Sequence, residues 1–174
     1  MTYCVGILVD AGMVMVADTR TNAGVDNIAT FRKLRLFENK GERVIALATS
    51  GNLSISQSVL SILDEGVACP ETGEVETIQK VPTMFKAAQL VGRAFRAAYQ
   101  VYGKALAESG VSFDIMALLG GQIGDGPMRL FQIYSAGNSI EATWIRPTCR
   151  SANRNMASPF STERSRPILA SSMR

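Results

Sequence analysis

Residues 3–17, YCVGILVDAGMVMVA, hold two apolar runs on either side of a turn, and they narrow the fold class more than any other stretch. Tyr3–Val9 and Met13–Ala17 have the length of strands, and Asp10-Ala11-Gly12 has the composition of a tight turn. Nearly every position in both runs is apolar, which is typical of strands buried on both faces. We therefore expect a β-hairpin with a covering layer on each side.

The remaining elements follow in the order strand pair, two helices, strand pair. A stripe of apolar residues spaced by three and four predicts each helix, and Asn52 and Thr83 have the side chains of helix N-caps. Short turns between the strands favour antiparallel pairing, so we expect a layered α/β (α+β) sandwich of antiparallel sheets. The predicted elements are strands Lys33–Phe37 and Val44–Thr49, helices to Glu65 and Ser109, and strands Phe113–Leu119 and Leu130–Tyr134. Gly120-Gly121 and a turn at Gly124 are expected to join the last two strands.

The chain has 174 residues, 47% of them hydrophobic, and no histidine. Its length suits one domain of ordinary size. The absence of histidine excludes Ser/His/Asp and Cys/His nucleophile pairs and the common zinc motifs. Cys4, Cys69 and Cys149 are too far apart in sequence for a zinc ribbon or an evident disulfide framework. No apolar run reaches the roughly 18 residues of a membrane span, and the N-terminus does not resemble a secretory signal, so we expect a cytoplasmic protein without membrane contact.

The net charge of +3 is unevenly distributed. Residues 144–174 hold six arginines and one glutamate, a charge of +5, which leaves −2 for residues 1–143. Aromatic residues are nearly absent from this basic tail, so a solvated tail is favoured over a nucleic-acid-binding arm. The Gly-rich stretch 120–126 is not followed by a helix pattern, and the aspartates lack the spacing of metal ligands, so we expect no cofactor and no metal.

Thr2 is the residue that a chain without histidine could use as a nucleophile. Removal of the initiator Met is favoured before a small residue, and it would place the Thr2 hydroxyl beside a free α-amine. The reference pKa of that amine is about 7.7–8.0, close to neutrality, whereas the side-chain pKa is about 10.4 for lysine and about 3.9 for aspartate. An N-terminal threonine whose own amine accepts its proton is a known nucleophile. Many proteins begin with Met-Thr, so these residues alone leave the role of Thr2 open.

Five segments together resemble the bacterial proteasome-type proteases called Anbu, which are relatives of proteasome β-subunits and of N-terminal nucleophile hydrolases. They are Met1–Ile7, Ala17–Gly24, Phe31-Arg32-Lys33, Ser50-Gly51-Asn52 and Tyr134–Asn138. The resemblance runs in order from residue 1 to about 143. It implies a four-layer αββα sandwich of the N-terminal nucleophile hydrolase type, in agreement with the order of elements above.

The resemblance also implies a catalytic site. Thr2 matches the family's nucleophile, Asp18 the acid that orients the site, Lys33 the buried lysine beside the nucleophile, and Gly51 the N–H of the oxyanion hole. A lysine ammonium near the amine of Thr2 would favour the free base of that amine, and Asp18 would compensate the lysine's charge. The alternative that Asp18 and Lys33 form only a structural ion pair stays open.

The implied function is that of a threonine-type peptidase acting on a peptide or protein, in a homo-oligomer that is a ring or a helical assembly. Two alternatives stay open: a non-peptidase amidase on the same fold, and a catalytically inactive assembly subunit. The second is favoured by residues 144–174, which do not resemble the family and show no strand or helix period. This abrupt change suggests a shifted reading frame after codon 143 and an incomplete domain over residues 1–143, which translation of the coding DNA in the other two frames would test.

Overall fold

The computed structural model describes residues 3–22, 28–143 and 148–152. Twelve strands and two helices lie in these residues. In chain order they are β1 Tyr3–Val9, β2 Gly12–Ala17, β3 Arg20–Asn22, β4 Ile28–Thr30, β5 Leu34–Asn39, β6 Arg43–Gly51, α1 Leu53–Glu65, β7 Val67–Ala68, β8 Val75–Glu76, α2 Met84–Glu108, β9 Ile115–Ile123, β10 Arg129–Ile133, β11 Ser139–Glu141 and β12 Thr148–Ala152.

A five-stranded antiparallel sheet with the order β11-β10-β9-β6-β5 lies at the centre of the fold. Both helices cover one of its faces, because their apolar stripes meet the large side chains that alternate strand positions turn toward them. The largest fully buried residues of this core include Ile45, Leu47, Phe95, Leu119 and Phe131. The expected class, a mixed α/β fold with antiparallel sheets, is confirmed.

A three-stranded sheet with the order β12-β1-β2 packs on the other face. Glycines allow the two sheets to approach closely: a Cβ at Gly6 would lie 2.8 Å from a Leu130 methyl group, and one at Gly120 would lie 2.3 Å from the Met13 sulfur. Gly120 and Gly121 therefore lie within β9 and not in the connection to β10, where the sequence analysis placed them. Glycine is needed at these positions because neighbouring atoms occupy the space of a side chain, and not because the chain turns there.

The outer face of β1 and β2 is exposed. Tyr3, Val9, Val14 and Val16 all lie on it with 46–60% of their surface accessible. The expectation that both strands of this hairpin are buried on both faces is therefore wrong in the described residues. The reason is that these residues form three layers of the expected four, and none of them forms a helix over this face.

Both helices begin and end where their capping residues predict. The Asn52 side chain accepts a hydrogen bond from the Ser54 N–H, and the Thr83 side chain accepts one from the Lys86 N–H. Gly66, with a φ of 102°, ends α1, because a positive φ suits glycine better than other residues. Neither helix in the described residues is both long and apolar enough to cross a bilayer.

Three segments contain short strands that the apolar pattern does not predict. β3 pairs with β4 between β2 and β5, and β7 pairs with β8 after α1. Within residues 144–174, Thr148–Ala152 pairs with β1 in antiparallel register, so the expectation that this segment lacks a strand is wrong. Backbone hydrogen bonding to a sheet edge does not require an apolar period, which explains why the sequence pattern missed it. The division of the chain at residue 143 and its origin in a shifted frame stay predictions.

Candidate active site

Asp18 and Lys33 form a bidentate ion pair at one end of the three-stranded sheet. Asp18 directly follows β2, and Lys33 directly precedes β5, so the pair joins the two sheets. The Lys33 Nζ atom lies 3.0 Å from each carboxylate oxygen of Asp18. The side chain of Lys33 is 4% exposed and that of Asp18 is 33% exposed. The ammonium is thus nearly removed from water, whereas the carboxylate retains solvent contact.

The carboxylate of Asp18 also contacts the start of β1. Its Oδ1 accepts a hydrogen bond of 2.9 Å from the N–H of Tyr3, and the Asp18 N–H donates one of 3.1 Å to the Tyr3 carbonyl. This pairing extends the β1–β2 ladder by one residue and aligns the Asp18 side chain with the peptide that precedes Tyr3. Thr2, the predicted nucleophile, lies outside the described residues.

Opposing effects set the ionisation of Asp18. Burial raises the pKa of its carboxyl, but the hydrogen bond from the Tyr3 N–H and the Lys33 ammonium more than offset this, so the pKa lies below its ordinary value. Asp18 is therefore ionised at neutral pH, and the buried Lys33 has a compensating negative charge in direct contact.

Cys4 and Thr49 lie beneath this pair, and the sequence analysis assigned neither of them to the site. The Thr49 N–H donates to the Lys33 carbonyl at 3.1 Å, and the Cys4 Sγ lies 3.8 Å from the Thr49 carbonyl, to which it donates. Burial, assisted by the charge of Asp18 and opposed by that of Lys33, raises the pKa of the Cys4 thiol to about 11. Cys4 is thus a protonated packing residue and not a nucleophile. The alternation of β1, which turns Cys4 inward, was the sequence signal that could have indicated this packing role.

Gly51 ends β6 with a φ of 109°, next to the N-cap of α1. A Cβ at this position would lie 2.3 Å from the carbonyl oxygen of Asp114, and the same carbonyl accepts a hydrogen bond of 2.8 Å from the Asn52 N–H. Glycine is therefore required here by both the positive φ and the neighbouring strand. Gly51 and Lys33 line one narrow cavity, together with Phe31, Thr49, Ser50, Leu53 and Ser56.

Three of the four predicted site residues thus lie in one region: Asp18 contacts Lys33, and Lys33 shares a cavity with Gly51. The arrangement places a buried ammonium and an ionised carboxylate at the start of the N-terminal strand. No group of three or more Cys, Asp or Glu side chains suited to a metal ion occurs in the part of the chain that the structure describes.

Solved structures of Anbu proteins are similar to this chain in fold and sequence. A mutant Anbu (Gly-1) from Hyphomicrobium sp. strain MC1 is 41% identical, with a TM-score of 0.76, over 89% of this chain and 62% of that one. Anbu (ancestral beta-subunit) from Yersinia bercovieri is 37% identical, with a TM-score of 0.73, over 88% and 61%. The Anbu complex of Pseudomonas aeruginosa, a helical assembly, is 36% identical, with a TM-score of 0.77, over 88% and 61%. The chain therefore spans about three fifths of the length of these relatives, and no family model or curated protein matches it.

Proposed function

This chain is an Anbu-like protein with the proteasome-type N-terminal nucleophile hydrolase fold, and on that premise we propose that it is a threonine-type peptidase whose nucleophile is Thr2. One observation carries the proposal. The Asp18–Lys33 pair lies at the start of β1, where Asp18 accepts the N–H of Tyr3. That N–H belongs to the peptide bond that joins Thr2 to Tyr3, so the pair is one covalent step from the proposed nucleophile.

The proposed reaction uses Thr2 as nucleophile and proton acceptor together. Its Oγ attacks the substrate carbonyl, and its own α-amine accepts the hydroxyl proton. The Lys33 ammonium disfavours a second positive charge nearby, so it would lower the pKa of that amine and increase the free base. Asp18 holds Lys33 in position and compensates its charge.

The later steps follow from the same groups. An N–H at Gly51 would donate to the oxyanion of the tetrahedral intermediate, and such a donor contributes about 2.7–4 kcal/mol to the transition state. The amine of Thr2 then returns its proton to the leaving nitrogen, the C–N bond breaks, and an ester forms at Oγ. Water hydrolyses that ester, which restores Thr2 and releases the acid.

Labelling of Thr2 tests the proposal. After removal of Met1, the chain is expected to gain the mass of one peptide epoxyketone, and Thr2→Ala is expected to gain none, because it lacks the attacking oxygen. Intact mass spectrometry measures both. Thr30→Ala, which removes an exposed hydroxyl from β4, is the matched control and should label like the parent.

Other outcomes separate the alternatives. Equal labelling of Thr2→Ala and the parent would contradict the choice of nucleophile. Acylation of Thr2 by a small amide probe, without reaction with the epoxyketone, would indicate a non-peptidase amidase. N-terminal sequencing that finds Met1 retained would indicate an inactive assembly subunit, because the α-amine would then belong to Met1 and not to the nucleophile.

We further propose that the chain self-associates, as the Anbu complex of P. aeruginosa does in its helical assembly. The exposed apolar residues on the outer face of β1 and β2 support association, because an uncovered face of this kind favours contact with another surface. Size-exclusion chromatography with light scattering is expected to give masses that are multiples of 18.7 kDa. A single species of 18.7 kDa at every concentration would contradict this expectation.

A further inference from the structure

A cleft of about 590 Å³ lies on the opposite side of the five-stranded sheet from the three-stranded sheet, beside α2. Its walls are α2, the loop between β7 and β8, and the turn between β10 and β11. The volume falls within the roughly 300–1,000 Å³ typical of small-molecule sites. None of the residues assigned to the candidate active site lines it.

Two glycines bring the walls of the cleft together. A Cβ on Gly92 would lie 2.2 Å from the carbonyl oxygen of Gly137, so only a glycine allows α2 to approach the β10–β11 turn this closely. Gly137 has a φ of 81°, which suits a turn residue without a side chain. Arg96 then reaches the turn, and its Nη1 atom donates to the Gly137 carbonyl at 3.4 Å. The cleft is thus built by close packing of ordered elements.

Positive side chains predominate in the cleft. Lys86, Arg93 and Arg96 of α2 line the cleft together with the two carboxylates of Glu71 and Glu76. The Nη2 atom of Arg93 donates to Glu76, whereas its Nε atom is buried and has no hydrogen-bond partner in the described part of the chain. The Arg93 side chain is 13% exposed. Because that Nε atom is inaccessible to solvent, Arg93 contributes to the cleft through the positive charge of its guanidinium, part of which Glu76 offsets.

The loop between β7 and β8 adds backbone donors to the same region. The backbone N–H groups of Glu71 and Thr72, followed by the Thr72 hydroxyl, lower the pKa of the Cys69 thiol by hydrogen bonding. Cys69 lines the cleft. These donors are directed at the Cys69 sulfur, so this wall of the cleft favours negative charge next to Cys69.

We propose that this cleft binds a small ligand through an oxyanion group, either a phosphate or a carboxylate. Arginine presents a planar set of donors that matches both groups, and the exposed Lys86 adds a further positive charge. Binding here does not depend on Thr2 or on the proposed peptidase activity, because the two sites share no residue.

Isothermal titration calorimetry of the full chain with inorganic phosphate and with citrate, at low ionic strength, tests the proposal. We expect saturable binding of one anion per chain at millimolar concentration or below. Arg96→Gln should weaken it by about ten-fold or more, the effect of losing a charged hydrogen bond. Lys104→Gln is the matched control, because Lys104 is a cation of the same helix, 90% exposed and outside the cleft, and it should bind like the parent.

A second variant separates binding from folding. Arg93→Lys keeps the positive charge opposite Glu76 but lacks the planar guanidinium, so we expect a folded chain with weakened binding. Binding of phosphate alone would support a phosphate ligand, and binding of citrate alone would support a carboxylate ligand. The absence of saturable binding of both anions, or equal affinity in Arg96→Gln and Lys104→Gln, would overturn the proposal.

Discussion

Gly51→Ala is expected to lower the free energy of unfolding by about 3 kcal/mol or more, from backbone strain and overpacking together. The φ of 109° at this position is rarely adopted by residues with a Cβ. The new Cβ would also lie 2.3 Å from the carbonyl oxygen of Asp114, and that oxygen is fixed by its hydrogen bond with the Asn52 N–H. Neither β6 nor β9 can move without breaking the ladder that pairs Gly51 with Ile115. Equilibrium unfolding in urea measures the change.

Gly41→Ala is the matched control for this prediction. Gly41 also has a positive φ, of 79°, but a Cβ there would meet no atom within 4 Å. Its substitution should therefore cost only the conformational strain, about 1–2 kcal/mol. Equal losses in the two variants would show that the contact with Asp114 has no effect, and that Gly51 is required for its backbone angle alone.

Asp18→Asn is expected to destabilise the chain by about 2 kcal/mol, and Lys33→Met by less. The two variants differ because of burial. Asp18→Asn leaves the ammonium of Lys33, which is 4% exposed, without its carboxylate, whereas Lys33→Met leaves a carboxylate that is 33% exposed and that water can solvate. Partial exposure of Asp18 is also why the expected loss is below the roughly 3–5 kcal/mol of a fully buried pair. Urea unfolding of both single variants and the double variant gives the coupling energy.

The pH dependence supplies a second measurement of the same pair. The pKa of Asp18 is lowered in the folded chain, so its ionised form stabilises the fold above its unfolded pKa of about 3.9. That contribution is lost as the pH falls through the lower, folded pKa. The difference in unfolding free energy between the parent and Asp18→Asn should therefore shrink from neutral pH to about pH 3. A difference that stays constant would contradict a role for the ionised carboxylate.

The same substitutions bear on the proposed activity. Lys33→Met should abolish labelling of Thr2 while the chain stays folded, because the proposed mechanism needs the ammonium beside the amine. Loss of labelling together with loss of structure would instead indicate that the pair is only structural, which is the alternative that the residues by themselves left open. The circular dichroism of the labelled sample distinguishes the two results.

Local signals in the sequence were sufficient for most of the fold. The capping side chains of Asn52 and Thr83 and the stop at Gly66 define the helices, because caps and helical periodicity are interactions over a few residues. Strand pairs with short turns were also predicted, since a turn fixes which strands are neighbours. Asp18, Lys33 and Gly51 were identified as site residues through the resemblance to Anbu proteins. That resemblance depended on the combination of several short motifs and not on any single one.

Contacts between distant segments were not predictable in this way. The Cys4–Thr49 contact, the place of Gly120 against Met13 and the pairing of β12 with β1 join residues that are far apart in the chain. The exposed outer face of β1 and β2 shows the same limit, because an apolar run does not indicate whether another layer covers it.

By itself, the sequence determined the antiparallel α/β class and the bounds of both helices, and its lack of histidine excluded histidine-based nucleophile pairs, because composition and short-range pattern are sufficient for these. Only the tertiary structure decided that Asp18 and Lys33 meet at 3.0 Å beside the start of β1, and that Gly51 cannot carry a Cβ. Those facts depend on how two sheets stack, which is set by the summed packing of many residues and not by any local pattern.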